Sequence, residues 1–226
     1  MKFGVKYRPS YALLGVSLEG GEEVLVEAGS MVSMSADMGM TTKLSATGGF
    51  FKALITALGR KFLGGETTFI NIFKAGDSGG QILIAPAMNG DIIHFPLQGN
   101  RLLVQASSFL ASSPDISVKL RFGGLRTLLG GEGLFLLAAE GTGDLFVNSF
   151  GAIKEMDING SFVVDTGHIV AFEDSLEFNV KRVGSWKSTF FSGEGLVTEF
   201  NGQGKLYLQT RNIGALTAWL SPMLPS

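Results

Sequence analysis

The chain has 226 residues, with 18 basic and 20 acidic side chains and a formal net charge of −2. This balance creates no overall field that would attract polyanions, so nucleic acid is not expected as a partner. The absence of cysteine excludes disulfides, thiolate nucleophiles and cysteine-ligated metal centres, and it fits a reducing cytoplasm, which is the expected location.

The first 21 residues, MKFGVKYRPSYALLGVSLEGG, contain no continuous apolar core of the kind that a signal peptide needs. We therefore expect no cleaved leader. Elsewhere, no apolar run approaches the roughly 20 residues that would span a bilayer. A transmembrane role is not expected, and peripheral attachment to a membrane stays open beside a purely cytoplasmic location.

A sequence pattern recurs three times and indicates internal repeats. Residues 16–35, 93–113 and 153–173 each contain two alternating apolar runs that are separated by a polar pair. A small-residue step and a further apolar run follow. The polar pairs, which predict β-hairpin turns, are Gly20-Gly21, Gly99-Asn100 and Asn159-Gly160.

The second half of each repeat opens on a glycine–glutamate step and predicts a strand, a glycine-rich turn and another strand. We therefore predict an all-β protein, with residues 1–226 forming a single compact domain of three homologous β-units. Units this small would share a core or pack around a pseudo-threefold axis. The predicted boundaries are 10–90, 91–151 and 152–212 for the three repeats, and 213–226 for a C-terminal tail.

Residues 50–63 predict a helical insertion in the first repeat. Apolar residues recur there at helical spacing, with basic residues around them. The helix could lie on anionic lipid or cover the edge of a β-unit. A basic and apolar stretch at 120–129, in the equivalent place of the second repeat, favours packing. The candidate membrane or partner contacts are Phe51, Leu54, Ile55, Leu58 and Phe62.

The tail predicts a second short helix, with Leu216, Trp219 and Leu220 on one face and Pro222 ending it. Docking on its own domain or on a neighbouring subunit is the favoured interpretation. Contact of Trp219 with a membrane interface is the alternative, and Trp219 is therefore a further candidate contact residue.

No metal-ligand spacing, phosphate loop or nucleophile elbow occurs in the sequence. His94 reads as a structural histidine on a strand, and His168 as a turn histidine bonded to its neighbours. The repeated glutamates would form a convergent polar site with His168 if duplication brought them to one axis, where they could bind a cation. Hydrogen bonding of each glutamate to turn amides is the favoured alternative. These glutamates are Glu66, Glu132 and Glu194.

Several motifs taken together resemble the AIM24 family, and the resemblance covers nearly the whole chain. They are VEAGSMVSMS, GGETTFINIF, QILIAPAMNGDII, VDTGHIVAFEDSLEF and SGEGLVTEF. The resemblance implies repeated β-units similar to the tryptophan RNA-binding attenuation protein (TRAP), a short double-stranded β-helix type that tends to form rings. The mitochondrial relative that names the family is associated with inner-membrane organisation and respiratory-complex integrity. No catalytic residues are established for the family, so none are carried over.

The leading functional prediction is a non-enzymatic, homo-oligomeric β-scaffold that binds a partner protein or an anionic membrane surface. We predict no enzyme activity and no cofactor. The alternative is a small-ligand binding module with pockets between repeats or subunits. An enzyme that uses the repeated glutamates or His168 is a third hypothesis, and it requires those side chains to converge in one pocket.

Overall fold

The computed structural model describes residues 1–44, 69–123, 134–182 and 196–223, and it confirms the all-β prediction. The single α-helix in this part of the chain is α1 (Ile213–Leu220). The predicted helical insertion 50–63 lies outside the described residues. The strands are β1 (Lys2–Lys6), β2 (Leu13–Leu18), β3 (Glu23–Glu27), β4 (Met31–Met34), β5 (Gly39–Leu44), β6 (Phe69–Lys74), β7 (Gly80–Ile84), β8 (Ile92–Gln105), β9 (Phe109–Ser112), β10 (Ile116–Gly123), β11 (Phe135–Asn148), β12 (Ile153–Asp165), β13 (Ile169–Glu173), β14 (Leu176–Arg182) and β15 (Leu196–Gln209).

A long antiparallel pair of strands recurs along the chain. In the second predicted repeat β8 pairs with β11, and in the third β12 pairs with β15 over their full lengths. In the first predicted repeat each long strand is replaced by two short ones, so that β2 pairs with β7 and β3 pairs with β6. The antiparallel strand pair is therefore continuous in the second and third predicted repeats and interrupted in the first.

The predicted hairpin turns are wrong. Gly99-Asn100 lies inside β8 and Asn159-Gly160 lies inside β12. In the first repeat, the strands on either side of Gly20-Gly21 pair with other strands and not with each other. The glycine-rich turns predicted at 140–143 and 201–204 are likewise interior to β11 and β15.

The physical reason is that glycines on both paired strands meet at the same level. Gly160 lies directly opposite Gly202, and both have positive φ, at 105° and 118°. Glycine adopts these angles without steric cost, so each strand bends sharply while its ladder of hydrogen bonds continues. The glycine-rich signal therefore marks a bend in a two-stranded ribbon and not a chain reversal.

Two shorter strands complete each set. The strands β4, β9 and β13 pair with β7, β11 and β15, each with one register shift near the start. The strands β5, β10 and β14 pair with β6, β11 and β15. Equivalent pairs in the first group are Ser33 with Leu83, Ala111 with Phe146, and Ala171 with Tyr207.

Neighbouring sets are joined by one recurrent kind of strand pairing. Strand β9 pairs with β3, and β13 pairs with the second half of β8. These contacts connect strands of all three predicted repeats into an eleven-stranded sheet. The four-stranded sheet has the order β1-β2-β7-β4, so its two edge strands are β1 and β4.

Three apolar clusters form the core. Strands β2 and β3 alternate between buried and more exposed positions, whereas β9 and much of β11 are buried at consecutive positions. The clusters contain Phe73 and Phe146, then Phe109 and Tyr207, and finally Phe172 and Phe200. The body that carries the surfaces described below is therefore held mainly by aromatic and aliphatic packing.

Candidate interaction site

Most of the predicted site residues lie outside the described part of the chain. Of the predicted set, only His168 and Trp219 have a described position. The membrane or partner stripe and the convergence of the glutamates stay predictions. The residues outside the described ranges are Phe51, Leu54, Ile55, Leu58, Phe62, Glu66, Glu132 and Glu194.

His168 ends the 3-10 turn Thr166–His168, which follows β12. Its Nδ1 atom lies 2.7 Å from the carbonyl oxygen of Gln209, to which it donates a hydrogen bond. The side chain of Gln209 in turn donates to the carbonyl oxygen of Gly167 at 2.9 Å. These bonds join the turn to the end of β15, so the observed contacts of His168 are structural.

The same turn lies against the base of the C-terminal helix. A side chain at Gly167 would have its Cβ atom 2.5 Å from Nδ2 of Asn212, so only glycine fits there without a shift. Asn212 caps α1, with its side-chain oxygen accepting a hydrogen bond from the amide of Ala215 at 3.0 Å. The turn and the cap together fix where α1 begins.

The helix α1 confirms the predicted tail helix, but none of its residues is fully buried. Leu216 and Leu220 are half-buried, whereas the side chain of Trp219 is 61% exposed. Ile213 and Met223 are also exposed large apolar residues. We name Ile213, Trp219 and Met223 the tail surface. Docking of the tail on its own domain is therefore incomplete and leaves this surface uncovered.

Six described strands have a neighbour on one side only: β1, β4, β5, β10, β12 and β14. Among them, β4 and the second half of β12 differ from their equivalents in the other sets, which pair on both sides. Strand β4 pairs with β7 alone, and its four residues are all exposed, with Val32 at 56%. Strand β12 pairs with β15 alone, and in its second half Val163 is also 56% exposed. We name β4 and residues 161–165 the two open edges. Sequence analysis missed them because β4 has the same apolar character as its buried counterparts, β9 and β13.

Several charged side chains of the described residues form ion pairs with one another. Arg101 bonds both Glu140 on the adjacent strand and Asp174, at 2.8 and 3.1 Å. The hydrogen bond from Arg101, and then its charge, lower the pKa of Glu140 below its usual value. Nε2 of His94 lies 2.7 Å from Oδ1 of Asp144 on the neighbouring strand, which fits the predicted structural histidine.

The described ranges contain neither a metal-binding cluster nor a membrane-spanning helix. No group of three or more His, Asp or Glu side chains there could hold a metal ion. In the same part of the chain, no helix is both long and apolar enough to cross a membrane. The tail surface and the two open edges expose large apolar side chains, among them Trp219, Val32 and Val163.

Comparisons with known proteins identify the family of this chain. The family model described as "Mitochondrial biogenesis AIM24" matches residues 3–211. An uncharacterised protein of Streptococcus pyogenes serotype M6 is 30% identical over 229 residues, which cover 100% of this chain and 92% of the relative. The X-ray crystal structure of a protein from Streptococcus pyogenes is similar, with a TM-score of 0.80, 29% identity and 99% of each chain covered. The chain therefore belongs to the AIM24 family.

Proposed function

We propose that this protein is a non-enzymatic β-scaffold that assembles with copies of itself and attaches peripherally to a membrane surface through α1. The observation that carries the attachment is the tail surface, where Trp219 is 61% exposed and Ile213 and Met223 are exposed as well. The two open edges support self-assembly. In this proposal the protein acts by holding surfaces together and needs no cofactor.

The chemistry of the tail supports an interfacial role. Residues 213–226 contain no charged side chain, so little desolvation cost opposes their entry into the headgroup region. Tryptophan is enriched at membrane interfaces because its ring is apolar and its N–H group is polar. A helix as short as α1 is marginal alone in water, but its Asn212 cap and the half-buried Leu216 and Leu220 support it.

The recurrent strand pairing supports the finer architecture that we propose for the scaffold. Three sets of strands share the same partners, and three equivalent short strands share the same register shift. We therefore interpret them as three homologous units of the TRAP-like type that follow one another along an open sheet, since β4 and β12 do not pair with each other as closure around the predicted pseudo-threefold axis would require. In this arrangement each unit presents a short strand to the next, which suits a protein that builds larger assemblies.

Co-sedimentation with vesicles tests the membrane attachment. We expect the unmodified protein to sediment with both neutral and anionic phosphatidylcholine-based vesicles, because the tail has no cation that would require anionic lipid. Trp219→Ser should weaken binding about 10- to 100-fold, since burial of a large apolar side chain contributes about 1.5–3 kcal/mol. The matched control is Tyr11→Ser, which removes another exposed aromatic ring outside α1.

Two results would contradict the attachment. One is an unmodified protein that stays in the supernatant with both kinds of vesicle, which would point to a protein partner for the tail surface. The other is equal binding by the Trp219 and Tyr11 variants. The alternative of a small-ligand module stays a prediction, and thermal shifts with metabolites would test it.

A further inference from the structure

We propose that copies of this chain associate head to tail, with β4 of one copy pairing antiparallel with residues 161–165 of the next. The inference rests on the proposed function, in which the scaffold assembles with copies of itself. Its geometry comes independently from strand pairing inside the chain. It assigns both open edges to the same interface and names the residues that meet there.

The first step is the rule that the chain follows internally. Where β9 meets β3, Ala111 lies opposite Val26 and Ser112 lies opposite Leu25. Where β13 meets β8, Ala171 lies opposite Val104 and Phe172 lies opposite Leu103. The residues align between repeats, so both contacts have one register. A short strand of one set therefore pairs in a fixed way with the long strand of the preceding set.

The second step is that β4 is the one short strand of the three without such a partner in the described chain. Its counterparts β9 and β13 each pair on both sides. The effect on burial is large: Val32 is 56% exposed, whereas the equivalent Leu110 and Val170 are both fully buried. Because the three strands share pairing and apolar character, a missing neighbour explains the difference.

The third step is that β12 lacks the complementary neighbour. Its residue Val163 is equivalent to Leu25 and Leu103, which lie opposite short strands. Val163 is 56% exposed, whereas Leu103 is 3% exposed. The adjacent Phe162 is also exposed. The two open edges therefore match the two strands that pair in the β9–β3 and β13–β8 contacts.

The fourth step concerns protection against pairing. Isolated edge strands usually carry charges, prolines or bulges that block association with other chains. The sequence of β4 is MVSM, and residues 161–165 are SFVVD, so neither contains a proline and the one charged residue is Asp165. The side chain of Asp165 is bonded within its own chain, where it accepts a hydrogen bond from the amide of Gly167. These edges have the composition of interior strands. Their exposure is consistent with pairing that a second molecule supplies.

The internal rule predicts the register of the contact. Ser33 should lie opposite Val164, and Met34 should lie opposite Val163. Because each copy presents β4 on one side and β12 on the other, the interface joins two different surfaces and propagates. Such interfaces give closed rings or open filaments, depending on the rotation between copies.

Disulfide cross-linking tests this register, since the chain has no native cysteine. Directly opposite residues have Cβ atoms about 4.5–5.5 Å apart, close to disulfide range. Met34→Cys and Val163→Cys change exposed side chains, so both variants should fold, which their thermal unfolding will check. When the two variants are mixed and oxidised, we expect a covalent dimer that contains one chain of each.

The control is a mixture of Met34→Cys with Ser161→Cys, which moves the thiol two residues along β12. This shift is about 6.8 Å, so cross-linking should fall at least tenfold. A disulfide that forms within one chain in the Met34→Cys, Val163→Cys double variant would overturn the proposal, because the edges would then close on each other. Equal cross-linking by the control mixture would also overturn it.

Failure of this interface is distinguishable from failure of the scaffold function. If the mixed variants do not cross-link but sediment as an oligomer, the interface is wrong while self-assembly stands. If they neither cross-link nor sediment above the monomer, both proposals are wrong. The predicted mixed dimer supports the interface without depending on any membrane or partner.

Discussion

Phe172→Ala is expected to lower the free energy of unfolding by about 3–5 kcal/mol. Phe172 is fully buried in the core cluster beneath β13 and β15. Its ring centroid lies 4.9 Å from that of Phe200 and 5.3 Å from that of Phe178, both at steep interplanar angles. Alanine removes these edge-to-face contacts as well as the buried area, and the β-sheet around the ring cannot collapse into the space.

Urea unfolding followed by circular dichroism measures this loss. The matched variant is Phe172→Leu, which keeps most of the volume and should cost clearly less than the alanine change. Total stabilities of folded proteins are about 5–15 kcal/mol, so Phe172→Ala should shift the unfolding midpoint strongly. A loss below about 1 kcal/mol would show that this cluster is not part of a close-packed core.

Gly141→Ala is the second substitution with a large expected effect. Gly141 lies at the bend of β11 with φ at +135°, an angle that residues with a side chain rarely adopt. Such a backbone conformation costs about 1–3 kcal/mol by itself. An added Cβ atom would also lie 2.2 Å from the carbonyl oxygen of Asp115, so the turn between β9 and β10 would have to move. We expect a loss of about 3 kcal/mol or more.

The equivalent bend in β15 offers a graded comparison. At Gly202, φ is +118° and the nearest atom to an added Cβ is the carbonyl oxygen of Ser175 at 3.2 Å. Gly202→Ala should therefore lower the free energy of unfolding through backbone strain, with a smaller contribution from the steric clash. At Gly4 an added Cβ meets nothing within 4 Å, so Gly4→Ala serves as the neutral control. Thermal unfolding should rank the losses as Gly141, Gly202 and Gly4, and equal losses would contradict the bent-ribbon description.

The sequence predicts the strands of this fold more reliably than their connections. Alternating apolar residues identify β2 and β3, because a strand with one buried face requires that period. The long strands β8 and β11 are instead marked by apolar runs on either side of a polar middle. The glycines at 99 and 160 predict turns, because the sequence of one strand does not show which residues lie opposite it on the paired strand. A bend can be told from a turn only when the paired strand is known to have a glycine directly opposite, as Gly202 lies opposite Gly160.

The candidate site was harder to predict than the fold, since exposure is a property of the assembled chain. The segments MVSM of β4 and FLAS of β9 are similar in sequence, but one lies at an edge and the other between two strands. Trp219 was identified from its place on a short apolar helix, and it is exposed. His168 lies in a turn, but its hydrogen-bond partner is the carbonyl oxygen of Gln209 at the end of β15 and not a neighbour in sequence.

Sedimentation velocity on the unmodified protein over a wide concentration range tests self-assembly, the central claim, most directly. The matched variant is Val163→Lys, which places a charge on one open edge at an exposed position and should leave folding intact. We predict that the unmodified protein sediments as species larger than the 24.0 kDa chain and that the variant dissociates to the monomer. A single 24.0 kDa species at every concentration of the unmodified protein would contradict the account.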